Sequence, residues 1–164
     1  MNPTHGGWLI LLSVIVALVL SVAHTPFDLP QWTDWLRPDW MVMVVFYWVM
    51  ELPQRFGLIT AWVLGLVVDA CLADPLGVNG ACLATLTYVT WSLYERFRMY
   101  SLLQQGGVIF LIVLFTESVR LSAHMLTREA EFSGAIIFPA IISMLVWPFL
   151  AGVLSRLSRS LVTA

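Results

Sequence analysis

Lysine is absent from these 164 residues; all eight basic residues are arginines. Charge of either sign is scarce, at 11% of the chain, where a soluble domain carries roughly 25%. Together with 60% hydrophobic residues, that deficit excludes an ordinary globular protein and points to the bilayer. A formal net charge of −2 leaves no basic surface for nucleic acid. The only cysteines, Cys71 and Cys82, are too few for a disulfide framework or a four-ligand zinc site. They flank one expected loop, so a bridge fits them, and so do two small apolar contacts. No Gly-x-Ser-x-Gly elbow, phosphate loop or metal-ligand spacing occurs, so no catalytic, cofactor or metal site is expected. Internal repeats, low-complexity tracts and long loops are missing too.

What remains is a series of apolar runs. Segments at about 8–23, 40–52, 56–73, 81–94, 103–126 and 134–154 predict an all-α polytopic membrane bundle of about six helices, one integral membrane domain over 1–164. Eight tryptophans fit many lipid–water boundaries, where indole rings settle. Ser21-Val22-Ala23 has the form of a cleavage site, but no Lys or Arg precedes it, so the first run is expected to stay as a helix. In that run Ser13, Ala17 and Ser21 recur every four residues and offer a face for close helix packing. Short residues arising by chance in a Leu/Val run are the alternative.

The organising stretch is 37–80, where two apolar runs meet at the hinge Glu51-Leu52-Pro53-Gln54-Arg55. The first run spans only roughly 20 Å, against ~30 Å of hydrocarbon. It either starts earlier, with Arg37 snorkelling to the headgroups, or is re-entrant. Pro75, Gly77 and Asn79-Gly80 predict a turn after the second run. In the last run Pro139 and Pro148 are each expected to bend the helix.

Arginines concentrate on cytoplasmic loops. Six spans with the N-terminus inside put Arg55, Arg96, Arg98, Arg156 and Arg159 inside and Arg37 and Arg128 outside, five against two. Five spans with a re-entrant second run give six against one. Both place the C-terminus in the cytoplasm. Six spans place the N-terminus there as well.

Three ionisable residues fall within the runs: Asp69, Glu117 and Arg120. A charge in lipid needs a partner. With six spans, Asp69 and Arg120 sit at similar depth in parallel helices, and Glu117 neighbours Arg120 at i and i+3. One arrangement pairs Arg120 with Asp69 across the two spans in a carboxylate–guanidinium–carboxylate cluster. The other leaves Arg120 to Glu117 while Asp69 caps the end of its helix. Either way the arginine holds the acids ionised, which argues against an aspartyl-protease-like pair. One paired cluster is also thin support for a proton path, and the chain is too short for two transporter halves.

The combination Arg37-Pro38-Asp39-Trp40, Tyr47-Trp48, Leu52-Pro53-Gln54-Arg55, Gly65-x-x-x-Asp69 and Leu76-Gly77-Val78, with Trp147-Pro148 in the last span, resembles the MreD family. These are bacterial rod shape-determining inner-membrane proteins. The resemblance implies a non-enzymatic scaffold of lateral peptidoglycan synthesis, with no cofactor. It implies MreC as direct partner, and MreB, RodA and a class B penicillin-binding transpeptidase in the wider complex. It also implies a fold similar to the six-helix substrate-binding subunits of energy-coupling-factor transporters. A vitamin-type binding subunit of an importer is the alternative function, by fold analogy alone. Arg37, Asp39, Leu76 and Gly77 flank the second and third runs and are the expected docking region. A local ion pair capping the second span is the other reading of Arg37-Pro38-Asp39.

A cysteine placed among residues 2 to 5, in a chain lacking Cys71 and Cys82, reports the topology. Labelling by a membrane-impermeant maleimide only after the cells are opened is the outcome expected for six spans; labelling of intact cells favours five.

Overall fold

The computed structural model describes residues 5–22, 36–54, 56–72, 74–127 and 134–162. Among them every regular element is helical. They are α1 (His5–Val22), α2 (Trp40–Glu51), α3 (Leu58–Leu72), α4 (Val78–Ser92), the short α5 (Tyr94–Met99), α6 (Leu102–Thr127), a 3-10 turn (Gly134–Ile136) and α7 (Ile137–Val162). Arg55, Ala73 and Arg128, which entered the expected spans and orientation, lie outside the described residues.

The centre of the molecule is α2. Nine consecutive residues, Met41 to Val49, are buried on every side. A helix apolar all round is stable only where neighbours cover all of it. Here α1, α4 and α7 do most of that, with α5 and α6 closing the rest. Phe46 sets its ring edge-on to Trp147 of α7 at 5.2 Å and tilts against Phe97 of α5 at 5.9 Å. Aromatic pairs favour such offset geometries over face-to-face stacking.

Two antiparallel hairpins flank α2. In the first, α3 and α4 approach so closely that a Cβ on Gly65 would run into the backbone of Asn79 and Gly80. In the second, Gln105 near the start of α6 lies against Trp147 of α7, with Trp147 Nε1 donating to Gln105 Oε1 at 3.4 Å. On α1, Val14 and Ala17 turn inward. Ser13 Oγ accepts a hydrogen bond from Trp48 Nε1 of α2 at 2.7 Å. Ser21 is half-buried farther along the same helix.

The outside of the bundle is apolar. Ile59, Leu103, Leu126, Leu145 and Phe149 are between 71% and 88% exposed. So much outward apolar surface suits a lipid solvent rather than water. Two helices, Leu102–Leu126 and Ile137–Arg159, are long and apolar enough to cross a membrane. The stretches Gly7–Val22, Trp40–Glu51 and Leu58–Leu72 are apolar but shorter. The expectation of six crossing runs therefore meets two helices that satisfy it on length and composition. At 12 residues, α2 is about 18 Å long.

Several expected boundaries move. Asn79 and Gly80 were expected in a turn but lie in the first turn of α4, because Gly77, at φ 99°, makes the reversal on its own and becomes the helix N-cap. The charged stretch Glu95-Arg96-Phe97-Arg98 after the fourth run forms most of α5. Pro139 is the third residue of α7, where the missing donor has no intrahelical acceptor to lose, so only Pro148 interrupts the helix interior. Both cysteines are free thiols, Cys71 exposed on α3 and Cys82 buried on α4.

The Gly65 contact predicts that Gly65→Ala destabilises the purified protein by about 1–3 kcal/mol in thermal unfolding in detergent. Gly107→Ala, whose Cβ would meet nothing within 4 Å, should leave stability unchanged or raise it by up to about 1 kcal/mol.

Candidate functional site

One end of the bundle gathers the start of α2, the turn between α3 and α4, the last third of α6 and the start of α7. Asp39, immediately before α2, is its N-cap: Oδ1 accepts the Val42 N–H at 3.1 Å. An acid before an apolar run satisfies one of the helix's orphan donors. The Asp39 N–H donates to Ser143 Oγ of α7 at 2.9 Å, so the same residue fixes α2 to α7.

Arg120 of α6 is the hub. Its Nη1 lies 2.7 Å from Glu117 Oε1 and 2.9 Å from Asp39 Oδ2. The first contact is a hydrogen bond within one helix turn. The second is an ion pair whose angle makes no hydrogen bond, and Asp39 Oδ2 is otherwise buried without a donor. The guanidinium Nε donates to Asn79 Oδ1 of α4 at 2.6 Å.

Asn79 carries the network onward. Its Nδ2 donates to Asp69 Oδ1 at 2.8 Å and to Asp74 Oδ2 at 3.2 Å. Only this orientation of the amide puts an acceptor on the guanidinium and donors on the carboxylates. Asp69, fully buried on α3, takes two further N–H bonds, from Asn79 at 3.0 Å and Gly77 at 2.8 Å. It therefore caps α4 from the preceding helix, where the positive end of the helix dipole favours an anion. Beyond it, His124 Nε2 of α6 lies 3.1 Å from Asp74 Oδ1.

The direct Asp69–Arg120 pair, one of the two arrangements open from the sequence, does not form. Asp69 is satisfied by neutral donors at the α4 N-terminus, and the Asn79 side chain stands between it and Arg120. Nor does Glu117 serve Arg120 alone, because Asp39 shares the same nitrogen. The sequence reading gives Asp39 to a local capping pair or to docking rather than to Arg120, and it leaves Asn79, Asp74 and His124 out of the cluster. Asp39 had a signal, an acid just before an apolar run. Asn79 was concealed by Asn-Gly, which reads as a turn.

The other singled-out residues divide. Arg37 is half-buried and lines a cavity beside Arg120. Leu76 is 76% exposed, and Gly77 carries the positive φ that a side chain would strain. Among the described residues no group of three or more His, Cys, Asp or Glu is placed to hold a metal ion. The acids of the network are committed to holding helices together, each already accepting a donor or facing a cation.

Removing Arg120 leaves acids unpaired, so Arg120→Met is expected to destabilise by about 3–5 kcal/mol. A double-mutant cycle between Arg120 and Asp39 should show coupling of about 1–3 kcal/mol. The cycle between Arg120 and Asp69, which do not touch, should show clearly less. Equal coupling in the two cycles would contradict the bridge through Asn79.

Residues 3–157 match the family described as rod shape-determining protein MreD. A protein of Haemophilus influenzae described as rod shape-determining protein MreD is 31% identical over 156 residues, covering 93% of this chain and 92% of that protein. No solved structure matches the chain, so the expected likeness to energy-coupling-factor subunits finds no support there. The family is one of membrane-associated shape determination and is not a known enzyme family. With its match spanning nearly the whole chain, this protein belongs to the MreD family of rod shape-determining proteins.

Proposed function

We propose that this chain is a non-enzymatic, multi-pass platform of the bacterial inner membrane, which controls lateral wall synthesis by contact with MreC. MreB, RodA and a class B penicillin-binding transpeptidase belong to the wider complex. Six segments cross the bilayer, with both termini in the cytoplasm. In this arrangement the short α2 crosses inside a sleeve of other helices and needs no full lipid-matched length.

The observation that carries the proposal is the ionic network. It cross-links α2, α3, α4, α6 and α7 at one end and leaves Leu76 exposed on the connecting turn of that same end. A rigid end with an exposed apolar residue suits docking. Its acids and base are occupied with each other, which leaves little for chemistry. Contact at this end runs over Leu76 and the backbone at Gly77, while Arg37 and Asp39 shape the adjoining cavity.

Depleting the protein from a rod-shaped cell should round the cells within a few generations; normal rods that require a vitamin supplement would favour the importer instead. Leu76→Asp should change stability by no more than about 0.5 kcal/mol, as surface substitutions do, yet fail to restore rods and lose photo-crosslinks to MreC from position 76. Restored rods with unchanged crosslinks would place the contact elsewhere.

A further inference from the structure

Two cavities adjoin along α1 and α2, and both are walled by Leu20 and Trp40. One, of about 180 Å³, opens at the network end and is lined by Ser21, Arg37, Asp39, Glu117 and Arg120 as well. The other, of about 190 Å³, is an apolar groove between α1 and α7 floored by Val44 and Trp48 of α2. It follows α1 from Leu20 back to Leu9, roughly 16 Å at 1.5 Å per residue, which is near the reach of an extended fatty-acyl chain.

The polar cavity presents charges of both signs. Arg120 uses Nε and Nη1 within the network, and Nη2 has no hydrogen-bond partner among the described residues. Glu117 uses Oε1, and its Oε2 likewise has none. The two side chains keep 19% and 21% exposure. A guanidinium edge and a carboxylate edge therefore face the same small space, with Arg37 a second guanidinium on its wall. A purely anionic headgroup would meet Glu117 and Asp39, and a purely cationic one would meet two arginines. A zwitterion, with phosphate toward the arginines and amine toward Glu117, meets both signs favourably.

We propose that the paired cavities hold one zwitterionic diacyl phospholipid of the phosphatidylethanolamine type, with its headgroup in the polar cavity and one acyl chain in the groove between α1 and α7. The lipid fills the space beside α2 and connects the outer helix α1 to the network. This rests on the membrane placement above. That placement is checked first and separately: a chain that stays soluble without detergent would overturn it before any lipid is added.

The full-length protein, delipidated in detergent, is mixed with equal amounts of phosphatidylethanolamine and phosphatidylglycerol, and retained lipid is weighed by native mass spectrometry. One phosphatidylethanolamine per chain is expected, preferred by about fivefold, the weight of one favourable charge contact. Glu117→Gln should bring the preference to about one. Because Glu117 also serves the network, Val153→Trp and Leu12→Trp are measured alongside. These positions are 40% and 45% exposed on the groove walls, so the fold should tolerate them. They should lower retention of both lipids about tenfold, roughly 1.4 kcal/mol, with melting unchanged. Equal retention of the two lipids by the unaltered chain, or undiminished retention in the groove variants, overturns the proposal.

Discussion

A partly buried guanidinium at one end of a helix bundle sets the terms for the rest of this molecule. Arg120 has its charge on α6, and its partners come from elsewhere: Asp39 at the head of α2 and Asn79 on α4, besides Glu117 one turn away. Removing water from a charge is expensive, and the loss is offset only when geometry brings carboxylates and further donors to it. That requirement ties α6 to α2 and α4. Asp39 adds α7 through Ser143, and Asn79 adds α3 through Asp69. Five helices are held in register at one end by side chains that would each be a liability alone.

Away from that end, packing is apolar and α2 is its axis. A 12-residue helix covered on every side has no lipid face of its own. Its neighbours divide their surfaces, one side inward to α2 and the other outward with exposed apolar side chains. The two polar contacts α2 makes there, Trp48 with Ser13 and Tyr47 with Ser158, lie on its flanks toward α1 and α7. At the other crossing, α3 and α4 meet through glycine, where absence of a side chain lets two backbones touch. Small residues set the spacing, and the ionic network sets the orientation.

For a shape-determining protein these features have a common consequence. A bundle cross-linked at one end resists shear between helices better than apolar contact alone, because hydrogen bonds and ion pairs have direction. The same end exposes Leu76 and opens the polar cavity, so rigidity and accessibility coincide there.

Much of the helical layout was legible in the residues, because apolar runs and their breakers act locally. Trp40, Leu58 and Leu102 open helices close to where the runs begin, and the i, i+3 pairing of Glu117 with Arg120 follows from helix geometry alone. Asp39 as a cap of the second run, one of the two readings of Arg37-Pro38-Asp39, follows for the same reason. What only the tertiary structure decided is the partner of each buried charge. Depth along a helix suggested Asp69 for Arg120, but depth says nothing about rotation around the axis or about a third residue standing between. Asn79 could claim that place only once Gly77 had turned the chain and α4 had begun at Val78, an outcome of three-dimensional packing rather than of spacing. The composition determined that charges would be few and would need shelter; the folded bundle chose which acid shelters which base.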